Sequence, residues 1–296
     1  MDFRQLEAFV STVNCRSFSA AAEALYLSQS TISCYIQSLE KELHTQLIHR
    51  TTKKFQVTKE GQQLYSYATA LLQLQRRAIS ELSDASRNEV HIGASSVPGQ
   101  RILPELLEEY HKTAPEARFH VTCSGSLDII QQVEDGSLDV GLVGMKTESP
   151  CIFEPLTNDE LVIATPNTEH FRTHYSPAPD LRALLREPMV IRTEQSGTKL
   201  EAEKLLRRLG LKRGDLNIAV SVNDAQALLC CVIQGLGISI VSCRMIQELE
   251  QQGKLLVFRL GQKVWKRTFY FVSQNSQFIP QSAQSFLQFL RSRSLG

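Results

Sequence analysis

Apolar residues recur at helical spacing from the start of the chain. Phe3, Leu6, Phe9, Val10 and Val13 form one stripe, which predicts an amphipathic helix with one buried side. Ala20, Ala21, Ala22, Glu23, Ala24 and Leu25 are strong helix formers, and Ser19 is the expected N-cap of a second, short helix. The pattern breaks at Tyr26 and Leu27. Ser28 then caps a third helix, in which Ile32, Ile36 and Leu39 share a face. Two short helices across a tight turn predict a helix-turn-helix.

The inward stripe leaves Gln29, Ser30, Thr31 and Ser33 on the outer face, flanked by Ser28 and Tyr35. Hydroxyl and amide side chains near the N-terminus of such a helix can hydrogen-bond base edges and phosphates, so these six are candidate DNA contacts. Helical spacing alone equally suits two packed amphipathic helices with a polar outer face. Further on, Phe55 and Val57 alternate with polar residues, as in a short strand. A basic turn between two short strands is a wing, which would set Arg50, Thr51, Lys53 and Lys54 beside phosphates.

Thr58 is the expected cap of a long helix reaching about position 87. Leu64, Tyr67, Leu71, Leu74 and Ala78 follow a heptad period, a narrow seam that fits a partner helix in a dimer or the chain's own C-terminal region. From Val90 the period changes. Strands are predicted at 90–94, 117–123, 140–143, 159–164, 189–191, 218–222, 238–241 and 268–272. Helices are predicted at 102–111, 127–133, 200–209, 225–234 and 282–291. Such alternation predicts parallel-type sheets covered by helices, in an amount that suits two lobes. Thr165-Pro166 and the polar stretch 261–267 are the expected crossovers between them.

Ligands of α/β sheets sit at the carboxyl ends of strands, where helix N-termini offer free N–H groups to an anion. Ser95 and Ser96, Gly125 and Ser126, and Ser196, Gly197 and Thr198 have that placement, with Thr147 and Asn223 after later strands. Taken singly, each stretch reads equally as a helix cap.

Composition narrows the function classes. Lys plus Arg is 32 against 31 for Asp plus Glu, a net charge of +1, so any DNA affinity must come from locally placed charge and from two copies acting together. The seven cysteines show no Cys-x-x-Cys spacing, which argues against a zinc site or a disulfide framework; most lie in apolar patterns and are expected to be buried thiols. Residues 225–241 are the most apolar stretch, but Gln226, Gln234 and two glycines break it, and no basic, apolar leader precedes the first helix. A cytoplasmic protein with no membrane association is expected. Gly235-Leu236-Gly237 lacks a third glycine, no serine has a Gly-x-Ser-x-Gly context, and His170 and His174 lie among Pro166, Pro177 and Pro179, which predicts a loop. No enzyme, cofactor or metal is therefore expected.

The order Ser17-Phe18-Ser19-Ala20-Ala21-Ala22-Glu23-Ala24-Leu25, then Ser28-Gln29, Ile32-Ser33, Ile36, Leu39-Glu40, Leu43, Leu47, Arg50 and Thr58-Lys59-Glu60-Gly61, resembles the N-terminal domain of LysR-type transcriptional regulators. Length and layout carry the resemblance to the end of the chain. Cys34 replaces a frequent basic residue, His44 the usual glycine and Ile48 a common phenylalanine. The resemblance implies a winged helix-turn-helix over 1–58 and a linker and dimerisation helix over 59–88. It also implies a two-lobed α/β effector domain over 89–296, of the type 2 periplasmic-binding-protein kind, with lobe one about 89–164 and 268–296 and lobe two about 165–267.

It implies too a homodimer or homotetramer that binds double-stranded promoter DNA. A small anionic metabolite would lie between the lobes at Ser95, Ser96, Ser126, Thr147, Ser196, Gly197 and Thr198. Ala94-Ser95-Ser96 and Ser196-Gly197-Thr198 look like the sulfur-metabolism branch of that family. The alternative is a solute-binding or enzymatic two-lobed domain whose helix-turn-helix serves protein contacts.

Overall fold

The structure, a computed structural model, describes residues 1–51, 54–82, 88–175, 180–193, 197–259, 265–276 and 279–294. The chain forms two compact units, an N-terminal one that ends near residue 87 and a C-terminal one.

The N-terminal unit holds α1 (Phe3–Cys15), α2 (Phe18–Ala24), α3 (Gln29–Glu42), the hairpin β1 (Ile48–Thr51) and β2 (Lys54–Val57), and α4 (Lys59–Leu82). Its core is Leu6, Phe9, Ile32, Ile36, Leu39, Leu47 and Ile48, joined by Ala68 and Leu72 of α4. Ser17, not Ser19, caps α2. Ser17 is extended and accepts from the Ala20 N–H at 3.3 Å, whereas Ser19 lies within the helix and donates to Gln29 Oε1. Ser28 caps α3 by accepting from the Thr31 N–H at 3.1 Å. Glu40 Oε1 takes the N–H groups of Leu47 and Ile48, tying the hairpin to α3. Thr58 Oγ1 accepts from the Gly61 N–H at 2.9 Å and donates to Gln46 O. A Cβ on Gly61 would meet Leu47 O at 2.2 Å, so only glycine lets α4 start this close to the hairpin.

The C-terminal unit runs β3 (Glu89–Ala94), α5 (Ser96–Arg101), α6 (Leu103–Thr113), β4 (Arg118–Cys123), α7 (Ser126–Glu134), β5 (Val140–Val143) and β6 (Ile152–Pro166). It continues with α8 (Glu169–His174), α9 (Leu181–Leu184), β7 (Met189–Arg192), α10 (Gly197–Arg208), β8 (Ile218–Val222), α11 (Ala225–Ile233) and β9 (Ser239–Ser242). It closes with α12 (Cys243–Gln251), β10 (Leu255–Arg259), β11 (Lys266–Ser273) and α13 (Gln281–Arg293). Here α8 occupies the stretch expected to be a loop, and α12 and β10 were not expected.

The first lobe is the sheet β6-β11-β5-β3-β4. The second has β9 and β10 on either side of the end of β6, with β7 and β8 joined to it through the bridge between Met189 and Ile238. The sheets are mixed rather than parallel. Among the described residues β3 pairs in parallel with β4 and β5, and β7 with β8, and the Met189–Ile238 bridge is parallel too, whereas β6 and β11 return along the sheet as long antiparallel neighbours. β6 changes partners between Glu160, opposite Lys266, and Leu161, opposite Ser242. Thr165, where the crossover was expected, already pairs with Leu256 inside the second lobe.

None of the seven cysteines is buried. All are free, and Cys15, Cys34, Cys123 and Cys230 are exposed. Cys34 lies on the polar face of α3 and Cys123 on the edge strand β4, whose side chains stand largely in solvent. Among the described residues no helix is long and apolar enough to cross a membrane.

Candidate functional site

The helix α3 presents Ser28, Gln29 and Ser30 exposed at its N-terminal end, with Thr31, Ser33 and Tyr35 half-buried behind them. The hydroxyl of Ser28 also lies 2.7 Å from that of Ser30 and 2.8 Å from that of Thr31. Tyr35 leans its ring on the core of the unit. Arg50 and Thr51 lie in β1 opposite Phe55 and Lys54 of β2, while Lys53 falls outside the described residues. Hydroxyls, an amide and free N–H groups at one helix end, next to a hairpin carrying basic residues, suit a polyanion with readable edges.

In the C-terminal unit, Ser95 precedes α5. It is buried, and its N–H donates to Leu142 O at 2.9 Å, but its hydroxyl makes no capping bond. Ser96 and Thr198 come from opposite lobes and line one small cavity of about 30 Å³, together with Arg192, Ala225, Ser242 and Met245. Ser126 is fully buried, and its Oγ accepts from the Gly144 N–H at 3.4 Å. Gly197, at the start of α10, packs so close that a Cβ there would sit 3.2 Å from Gly144 O. Ser96, Ser126, Gly197 and Thr198 therefore converge. Thr147 stands exposed three residues beyond Gly144 and shares no hydrogen bond with them among the described residues, Asn223 is exposed, and Ser196 lies outside those residues.

Sequence reasoning missed the group that binds this cluster together. Arg267, at the start of β11, donates from Nη1 to Thr198 Oγ1 at 3.0 Å and from Nε to Asp159 Oδ2 at 2.7 Å. Ser242 donates to the other oxygen of Asp159 at 2.8 Å. Thr198, Arg267, Asp159 and Ser242 thus form a polar chain whose two ends both line the small cavity. The guanidinium is 4 % exposed and lies over the Phe269 ring. Its Nη2 has no hydrogen-bond partner among the described residues. Burial pushes the Arg267 guanidinium below its ordinary value, against the opposing pull of Asp159, and it remains a cation. Alternation along β11 was the available signal: Arg267 shares its face with the buried Phe269 and Phe271.

His170 and His174 are ordinary neighbours on α8. His170 Nε2 meets Glu187 Oε1 at 2.8 Å, and His174 Nδ1 lies against His170 O. Among the described residues no cluster of His, Cys, Asp and Glu could hold a metal ion.

Two families match the chain. The LysR substrate binding domain covers residues 83–294, and the bacterial regulatory helix-turn-helix protein of the lysR family covers residues 3–62. The chain belongs to the LysR family of transcriptional regulators. YeiE of Escherichia coli K12, an HTH-type transcriptional regulator, is 30% identical over 292 residues, 97% of this chain and 96% of that protein. CysL of Bacillus subtilis strain 168, also an HTH-type transcriptional regulator, is 27% identical over 296 residues, 99% of this chain and 97% of that one.

The crystal structure of the LysR-family regulator CbnR matches the fold with a TM-score of 0.70 at 21% identity, covering 100% of both chains. Full-length CbnR complexed with its target DNA matches with a TM-score of 0.68 at 22% identity, covering 99% of this chain and 100% of that one. The fold is accordingly a helix-turn-helix unit followed by a two-lobed α/β substrate-binding domain, and the LysR family is one of regulators rather than enzymes.

Proposed function

We propose that this LysR-type regulator binds promoter DNA as a dimer or tetramer and senses a small anion held between its lobes. The observation that carries the anion is the orphaned Nη2 of Arg267, a buried charged donor beside Thr198. Buried polar groups without a partner are rare, and an oxyanion or carboxylate supplies the missing acceptor. Asp159 already takes the Nε edge, so a ligand would engage Nη2, the Thr198 hydroxyl and the N–H groups opening α10. Ser95, Ser96, Ser126 and Ser196 would contact the anion from around the same cleft. Closure on a ligand held by both lobes follows from its differential affinity for the closed state.

On DNA, Ser28, Gln29, Ser30, Thr31, Ser33 and Tyr35 would face the major groove, and Arg50, Thr51, Lys53 and Lys54 the flanking phosphates. The heptad seam supports a partner helix. Tyr67 is 63% exposed, Leu71 39% and Leu74 42%, a stripe of apolar side chains uncovered along α4. A regulator of this kind works on the chromosome in the cytoplasm and catalyses nothing.

Two measurements test the reading. Duplexes from the gene's own upstream region should bind at low salt and lose affinity steeply as salt rises. The regulator reading fails if none binds. A thermal-shift screen of oxyanions and carboxylates should find a stabilising ligand. Thr198→Val should then weaken it by about 1.5–3 kcal/mol, roughly ten- to a hundredfold, with Thr198→Ser near wild type and basal DNA affinity unchanged. Equal affinity in Thr198→Val would reduce Thr198 to a partner of Arg267 alone.

A further inference from the structure

The cavity that Ser96 and Thr198 share is small, but a much larger one lies beside it inside the second lobe. About 380 Å³ is open between α10 and the strands β7 and β9, walled by Ala202, Leu206, Leu211 and Leu216. That is within the size range of small-molecule sites, whereas about 30 Å³ holds little more than a water or one head group. The two spaces are continuous in their walls. Thr198, Arg192, Leu228 and Ile240 line both.

Charge around the large cavity is predominantly positive. Arg192, Lys199, Arg207, Lys212 and Arg213 line it against the single carboxylate of Glu203. Lys199 and Arg192 stand at the end shared with Thr198, where α10 begins and its N-terminal N–H groups point. At the opposite end Leu211 and Leu216 form an apolar wall after the helix has ended, with Lys212 and Arg213 between them in the chain. An inorganic oxyanion held at Thr198 would leave this space unfilled.

We infer that the effector is an amphipathic organic acid: its anionic head sits at Thr198 in the cleft, and its apolar body lies in the second lobe between α10 and the sheet. The inference rests on the effector reading above for the head group, and on the large cavity alone for the body. Lobe closure and α10 position are then coupled, because one ligand touches the cleft with its head and the inner face of α10 with its tail.

Octanoate and inorganic sulfate are the two probes, titrated into the full chain. Trp265, the sole tryptophan, is buried in the same apolar cluster as Leu206 and Ile240, so its fluorescence reports on the cavity. Octanoate should shift that emission saturably. Ala202→Phe fills the cavity and Leu211→Asn makes its far wall polar. Each should weaken octanoate by at least about tenfold while leaving any sulfate binding as in the wild type. Leu211 is half-exposed, so its substitution tests the site even if Ala202→Phe disturbs α10.

Thr198→Val should weaken both probes. The inference is overturned if octanoate gives no saturable shift, or if it binds both cavity variants as it binds the wild type. Should sulfate still bind in a Thr198-dependent way, the cleft reading survives without the apolar body. Octanoate binding that depends on Ala202 and Leu211 but not on Thr198 overturns the head-group assignment.

Discussion

Arg267 and Asp159 form a buried ion pair, 2.7 Å apart, at the level where β6 passes from one lobe to the other. Both are almost wholly removed from solvent, so each is the other's counter-charge in place of water. Arg267→Met or Asp159→Asn alone should destabilise the chain by about 3–5 kcal/mol in urea denaturation. The double variant should cost less than the sum of the two, with a coupling of about 0.5–3 kcal/mol. Strict additivity would show that the two groups do not stabilise one another.

Tyr175 donates to Glu187 Oε1 at 2.8 Å, the oxygen that also meets His170. Burial, reinforced by the Glu187 carboxylate, pushes the Tyr175 phenol up to about 12. A raised value stabilises the fold fully below the ordinary phenol value of 10.0, and that contribution disappears as pH rises toward about 12. Burial also raises the Tyr110 phenol, so two of the seven tyrosines should ionise late in a spectrophotometric titration, and Tyr175→Phe should reduce the late amplitude while the Tyr110 step remains. For Glu187 burial acts upward, but the bonds from His170 and Tyr175 prevail and hold its carboxyl below the ordinary range. Its contribution is present above that range and lost as pH falls through the lowered value, so Glu187→Gln should blunt the acid limb of stability.

His44 sits in the left-handed region at φ 50, exposed, just past the end of α3. A side chain there is strained where glycine is not. His44→Gly should raise stability by about 0.5–1 kcal/mol, measured as an increase in the urea midpoint at constant slope. A decrease would mean that the imidazole makes a compensating contact.

Leu71→Asp places a carboxylate in the uncovered seam of α4. Across a two-fold interface the charge would face its own copy, and the chain should sediment as a monomer. Operator affinity should collapse with it, because two half-sites are no longer bound together. A folded dimer in this variant would place the interface elsewhere.

What could be read from the residues alone depended on how local their causes are. The helices α1 to α3, the hairpin and most strands after Val90 followed from periodicity, because each buries one face of a regular element. The cap of α2 was misplaced by two residues, since two serines stand close together and only the backbone at Ser17 is extended. The length of β6 was hidden. Its first half alternates weakly, and Pro155 interrupts it. The cysteines misled because apolar neighbours in sequence do not fix which face a residue occupies. Ser96, Gly197 and Thr198 were legible as ends of helices, but their convergence depends on Arg267, Asp159 and Ser242. These come from three distant segments, and no spacing within one segment reveals them.

The strand order of the first lobe has a bearing on synthesis. β11 lies between β6 and β5, yet it is made after every other strand of the chain. As the chain leaves the ribosome, β3, β4 and β5 emerge early and wait with an open edge on β5, while the whole second lobe is translated. That lobe's described strands and, Trp265 apart, its apolar cluster lie before residue 260, so it can collapse first. The earlier lobe is completed only when β11 inserts between strands already present. Closing so long a loop before any contact rewards it makes this step slow. Nascent chains stalled before Lys266 should therefore expose the unpaired edge of β5 to chaperones and to one another.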